Sequence, residues 1–204
     1  MRLHIIRHAE PDYPRDALTA RGHAQAQALA RRLSTMGVDQ VYSSPMNRAL
    51  ETAHYTAERL GLGVRIEHWT RELEDWWIPD EALGERPVWQ VDATTLRAMP
   101  PGQEIWPLDA LARLRAAAAE FLGRQENAAS RDIAVFCHAG FALTWLAELL
   151  DVPLPLVWAG FSLQPASITT VDFEALAEGG AAAPRCLGLG DVGHLQDLDS
   201  FDSV

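Results

Sequence analysis

The sequence predicts an α/β fold: a three-layer sandwich in which a mostly parallel sheet carries helices on both faces. Three observations lead there. Short apolar runs of strand length recur along the chain, and stretches with apolar residues at helical spacing separate them. Two of the apolar runs also end alike, each delivering a histidine at its carboxyl end. Strands that alternate with helices build a parallel sheet covered on both sides. In such sheets ligands bind beyond the carboxyl ends of the strands.

The first strand candidate, Leu3-His4-Ile5-Ile6, ends in Arg7-His8-Ala9. Residues 19–36 place Ala24, Ala28, Leu29 and Leu33 at helical spacing, with Gly37 where a C-terminal cap would sit. Residues 38–42 form a strand that leads into Ser43-Ser44-Pro45. A second helix over 47–60 follows, capped by the serine before Pro45 or by Asn47 and stopped by Gly61. Val64-Arg65-Ile66 is another strand candidate, and an alanine-rich third helix covers 108–125. Residues 133–137 are a strand ending in His138-Ala139-Gly140; a fourth helix over 142–150 stops before Pro153. Residues 166–171 and, more weakly, 185–189 complete the strand candidates. His8 and His138 then emerge on one rim, although they lie far apart in sequence.

One domain over 1–204 is expected. The stretch at about 69–106 differs in character, carrying five of the seven tryptophans (Trp69, Trp76, Trp77, Trp89 and Trp106) with several prolines. It reads as an excursion over the rim, or equally as an irregular packed loop with aromatic anchors. Residues 175–183 read as a loose loop and the acidic residues 191–204 as a partly ordered tail.

Composition narrows the function. Apolar residues make up 48% and charged residues 22%, as in a globular protein, and no run approaches the roughly 20 apolar residues of a membrane span. The N-terminal apolar stretch is too short for a secretory signal. Cys137 and Cys186 could form one bridge, but the apolar setting of Cys137 favours a buried thiol, and the cytoplasm is the expected compartment. A net charge of -11 opposes a general role in binding nucleic acid or an anionic membrane. A small anionic substrate remains compatible, provided its pocket has its own arginines. No metal and no cofactor are expected: there is no His-x-His, no His-Glu-x-x-His, no aspartate cluster and no Walker A loop. His4, His23, His54, His68 and His194 read as structural or surface residues. Gly22 reads as a packing position in its helix.

His138-Ala139-Gly140 lets backbone N–H groups approach an anion at the start of a helix, where the dipole favours negative charge. Arg48 falls in the first turn of the second helix. A cation there opposes the dipole, so its placement asks for an anionic partner, unless it simply faces solvent.

In this order the chain resembles the histidine phosphatase superfamily, the phosphoglycerate mutase-like group. The resemblance rests on Arg7-His8-Ala9-Glu10, the run from Leu18 to Ala26, the run from Ser43 to Ala53, Arg71-Glu72-Leu73, Pro101-Gly102-Gln103-Glu104, Cys137-His138-Ala139-Gly140 and Ala166-Ser167-Ile168-Thr169. It implies a phosphoglycerate mutase-like sandwich and a metal-independent phosphomonoesterase of the histidine acid phosphatase type. It makes His8 the phosphorylated nucleophile, has Arg7, Arg48, His138 and Ala139 hold the phosphoryl group, and makes Glu72 the proton donor. Glu74 lies close enough to compete for the acid role, with Glu104 next. Two departures stand out: Ala9 occupies a position where the family often has glycine, and Glu10-Pro11-Asp12-Tyr13-Pro14 replaces a more polar pattern with asparagine.

The chemistry agrees. Phosphoryl transfer spreads negative charge over three oxygens, which planar, always-charged guanidinium groups can grip in pairs. Neutral imidazole is a nucleophile available near pH 7. The substrate is expected to be a phosphorylated small molecule or a phosphoprotein. A mutase returning the phosphoryl group to substrate, or a non-catalytic phosphate-binding protein, are the alternatives.

Overall fold

Alternation along the first strand sets the layers. The computed structural model describes residues 1–73, 77–80, 84–87, 90–98, 108–125, 132–173 and 184–199. β1 (Arg2–Arg7) is central in a six-stranded sheet, and its side chains leave on alternate faces. Leu3 and Ile5 enter one apolar cluster and Ile6 the other. β8 (Asp132–Cys137) repeats the division, with Ile133, Val135 and Cys137 on the first face and Ala134 and Phe136 on the second.

Between these strands the chain runs through a small hairpin, β2 (Pro11–Asp12) and β3 (Ala17–Leu18), then α1 (Ala20–Leu33), β4 (Gln40–Ser43), α2 (Asn47–Leu60) and β5 (Val64–Ile66). A second hairpin, β6 (Trp77–Asp80) with β7 (Gly84–Pro87), precedes α3 (Ala93–Ala98) and α4 (Leu108–Gly123). After β8 come α5 (Ala139–Leu150), α6 (Leu154–Gly160), β9 (Ile168–Asp172), β10 (Arg185–Asp191) and α7 (Gln196–Asp199). α4 and α5 cover the first face of the sheet, and α1 and α2 the second, giving the three layers.

The sheet order is β10-β9-β1-β8-β4-β5. The pairs β1–β8, β8–β4 and β4–β5 are parallel; β9 runs antiparallel to β1, and β10 antiparallel to β9. The mostly parallel sandwich expected from the sequence is therefore present, with the two late strands reversed. Residues 166–167, expected in a strand, instead form the approach to β9: Ala166 takes a left-handed conformation at φ 59° and its N–H donates to His8 O at 3.0 Å. The hairpins and the short helices α3, α6 and α7 escaped the sequence reading because segments of two to seven residues carry too little periodicity.

Trp69 packs against Phe121, Phe141 and Trp145, with ring centroids 5.0 to 5.6 Å away. Trp76, Trp89 and Trp106 lie outside the described residues, as do Glu74 and the Pro101-Gly102-Gln103-Glu104 motif. Cys137 is buried and Cys186 exposed, and both are free thiols.

One close approach holds the β2–β3 hairpin on α1. Thr19 caps α1 by accepting from Gly22 N, while its own N–H donates to Glu10 O at 3.1 Å. A Cβ on Gly22 would stand 2.2 Å from Glu10 O. Alanine favours an unhindered helix by about 1 kcal/mol over glycine, but here the clash is with backbone that cannot swing aside. Gly22→Ala is therefore expected to destabilise the protein by about 1–3 kcal/mol in urea unfolding. A stabilised variant would show that the hairpin is not seated on α1 in this way.

Candidate active site

Parallel pairing builds the centre of the site. Arg7 of β1 is level with Cys137 of β8, and His8 N donates to Cys137 O at 2.9 Å. His8 and His138 thus leave adjacent strand ends together, their ring centroids 5.2 Å apart. His8 Nδ1 bonds to its neighbour's carbonyl, Ala9 O, at 2.7 Å, which assigns the proton to Nδ1 and the lone pair to Nε2. That lone pair faces Arg48 Nε at 3.3 Å. Burial drives the His8 imidazole down to about 4; the bond to Ala9 O opposes this, and the charges of Arg48 and Arg7 add to it. His138, fully buried, is held far below the usual histidine range, first by burial and then by His8, Arg48, Arg7 and Arg71. Its Nε2 shares a hydrogen bond with Ser44 Oγ at 2.8 Å.

The arginines come from different elements. Arg7 closes β1, and its Nη1 donates to Leu163 O. Arg48 lies in the first turn of α2 yet is only 4% exposed. The anionic partner that its position required is Asp16, whose Oδ1 accepts from Nη1 at 2.6 Å. Asp16 also corrects the expected cap of α2. Neither the serine before Pro45 nor Asn47 caps it: Met46 is the N-cap residue, without a side-chain cap bond. Asp16 Oδ2 instead accepts from Asn47 N at 2.8 Å. Ser44 is committed elsewhere, to His138 and to the N–H of Met46.

Glu72 reaches the site from a segment pinned by the buried Thr70 and Leu73. Its Oε1 accepts from Phe141 N at 2.9 Å and its Oε2 from Gly140 N at 3.3 Å, so the carboxylate sits on the N-terminus of α5. Gly140 makes this approach feasible, since a Cβ there would lie 2.9 Å from Glu72 Oε1 and 3.1 Å from the Trp158 ring. Ala139 begins the same helix, beside His138. Among the described residues, the candidates Arg7, His8, Arg48, Glu72, His138 and Ala139 therefore converge on one rim, while the alternative acids Glu74 and Glu104 lie outside the described residues. Arranged in this way, they gather a neutral imidazole, two guanidinium groups, a second imidazole and a carboxyl group beyond the carboxyl ends of β1 and β8.

Sequence reasoning missed Asp16, Ser44, Thr52 and Tyr13. Thr52 Oγ1 accepts from Ala9 N at 3.0 Å and donates to Arg48 O at 2.7 Å, tying the loop after β1 to α2. Ser44 and Thr52 were inside a quoted motif, but hydroxyls are common and nothing in their spacing marks a second layer of support.

The depressed His8 has a measurable consequence. The folded protein should hold His8 neutral down to about pH 4, whereas the unfolded chain binds that proton near 6.5. Between those values the unfolded state carries more protons, so this stability is complete above about 6.5 and is lost on acidification towards 4. An NMR titration should place the His8 midpoint near 4. A midpoint near 6.5 would show that burial does not hold the ring neutral.

The model of the histidine phosphatase superfamily (branch 1) matches residues 3–178. A glucosyl-3-phosphoglycerate phosphatase of Mycobacterium tuberculosis is 31% identical, over 75% of this chain and 77% of its own. A probable phosphoglycerate mutase of Enterobacter is 26% identical over 100% of this chain and 99% of its own. Among solved structures, the mycobacterial glucosyl-3-phosphoglycerate phosphatase with inorganic phosphate superposes with a TM-score of 0.69 at 24% identity, covering 95% of this chain and 98% of that one. An Entamoeba histolytica phosphoserine phosphatase in complex with 3-phosphoglyceric acid gives 0.69 at 22% identity, with the same coverage, and at this distance supports the fold. With strand-end histidines, arginines and sheet order already in place, the match over most of its length establishes that this chain belongs to the histidine phosphatase superfamily.

Proposed function

We propose that the protein is a phosphatase that hydrolyses a phosphate monoester through a phosphohistidine at His8 Nε2. The observation that carries this reading is the tautomer of His8: Nδ1 is tied to Ala9 O, and Nε2 points its lone pair at Arg48, where a phosphoryl group would be held. Arg7, Arg48, His138 and the Ala139 N–H bind the three non-bridging oxygens. The His8 lone pair forms the P–N bond as the P–O bond to the leaving group breaks, and Glu72 protonates the departing oxygen. Water then attacks phosphorus, Glu72 takes its proton, the P–N bond breaks, and inorganic phosphate leaves. Positioned cations lower the barrier by matching charge that grows in the transition state.

The substrate is a phosphorylated small molecule or a phosphoprotein. The names of the relatives make glucosyl-3-phosphoglycerate, phosphoserine and phosphoglycerates the first compounds to try. The net charge of -11 argues against nucleic acid or an anionic membrane as partner. Among the described residues no helix is long and apolar enough to cross a membrane. Two free cysteines fit a reducing compartment, and we place the protein in the cytoplasm as a single domain over 1–204. The tryptophan-rich stretch at about 69–106, which carries Glu72, reads as an excursion over the rim or, equally, as an irregular packed loop, and Trp69 near its start packs against Phe121, Phe141 and Trp145.

Replacing His8 with alanine should abolish hydrolysis of p-nitrophenyl phosphate while leaving the circular dichroism spectrum unchanged, and saturating EDTA should leave the native enzyme active. Loss in EDTA that zinc or magnesium restores would overturn the mechanism.

The acid can be read from leaving-group dependence. Protonation matters most when the departing oxygen is basic, so Glu72→Gln should slow alkyl phosphates by at least tenfold more than p-nitrophenyl phosphate. If Glu74→Gln shows that selectivity instead, the acid is Glu74; if neither does, Glu104 is the next residue to replace.

A further inference from the structure

The turn between β2 and β3 reaches Arg48 from two sides. Asp16 fastens Nη1 and, through its second oxygen, the backbone of the residue preceding Arg48. The Tyr13 ring lies 5.5 Å from the guanidinium carbon, within cation–π range. One carboxylate therefore holds both the side chain and the helix end that carries it. Asp16 does this from a left-handed backbone, φ 48° and ψ 46°, which aspartate and asparagine tolerate better than most residues.

The geometry of the fork gives this contact a meaning beyond capping. A guanidinium offers two edges with paired donors, and the Nε–Nη2 edge matches two oxygens of a phosphate. Asp16 takes Nη1, the nitrogen in the same plane that lies outside that edge. That anchors the group with Nε 3.3 Å from His8 Nε2 and Nη2 turned towards Met46 Sδ at 3.6 Å. Without the anchor, the guanidinium could rotate about its last bonds and present a single donor to the phosphoryl group. Resting on the phosphohistidine reading above, we infer that Asp16 is a positioning residue that fixes the plane of Arg48, so that its Nε–Nη2 edge faces the phosphoryl group on His8.

Asp16→Asn tests this in the full chain, because asparagine suits the backbone and keeps an acceptor for the Asn47 N–H. The variant should fold, with a melting temperature near that of the parent. Its kcat/KM for p-nitrophenyl phosphate should fall by about tenfold to a hundredfold, mostly in kcat, the scale expected when a group that orients a site residue is lost. A double-mutant cycle supplies the decisive readout. In an Arg48→Ala background, adding Asp16→Asn should change kcat/KM by less than about twofold. An equal loss in both backgrounds, or no loss in the single variant, overturns the inference and leaves Asp16 as a helix cap. If Asp16→Asn does not fold, Asp16→Gly, compatible with the same backbone, takes its place in the cycle. A parent protein inert towards p-nitrophenyl phosphate would sink the hydrolytic reading instead. Orthovanadate affinity measured by calorimetry across the same four proteins then still decides on Asp16: weakening that depends on Arg48 supports it, and weakening that does not overturns it.

Discussion

The site depends on the parallel pairing of β1 with β8. Their register puts Arg7 level with Cys137, so the two following residues, His8 and His138, are neighbours on the same face. A slip by one residue would turn one of the histidines into the opposite layer, because side chains alternate along a strand. The apolar faces on both sides forbid that slip: Leu3 and Ile5 would exchange places with His4 and Ile6 across a sheet buried on both sides. Core packing thus fixes the spacing of two imidazoles at the rim. Everything else arrives around this pair: Arg48 from α2, Glu72 from the segment after β5, and the backbone N–H groups from the start of α5.

Charge is distributed with the same economy. The chain is acidic as a whole, yet its rim gathers Arg7 and Arg48 beside two buried histidines. Burial first, and then the nearby cations, disfavour a proton on His8, which keeps its imidazole neutral. Asp16 and Glu72 place carboxylates at two helix N-termini, where N–H groups would otherwise seek an anion.

Much of this was legible in the residues. Short apolar runs identified the central strands, and Arg7-His8 and His138-Ala139-Gly140 declared themselves because an unusual ending occurred twice. Arg48 advertised a missing partner through its conflict with the helix dipole, although Asp16 itself could not be named. It lies 32 positions upstream, in a turn too short to have a period, and only the folded hairpin carries it to α2. Ser44 and Thr52 were hidden for a related reason: their partners, His138 and Ala9, sit on other elements. Strand direction was harder still. Nothing in the composition of β9 or β10 records which way its partner runs.

The sheet also has to stop somewhere. Its last strand, β10, is exposed along much of its length and carries Leu187 and Leu189 on the surface. A regular open strand of that kind would invite another chain to add itself by backbone hydrogen bonding. The ladder between β9 and β10 shifts register twice, between Cys186 and Gly188 and again before Asp191, and Gly190 adopts a left-handed conformation. Each irregularity bends the strand and breaks the even row of donors and acceptors that an incoming strand would need. The far edge is guarded more simply, since β5 is only three residues long. The molecule can therefore leave apolar side chains at its border without offering a template for aggregation.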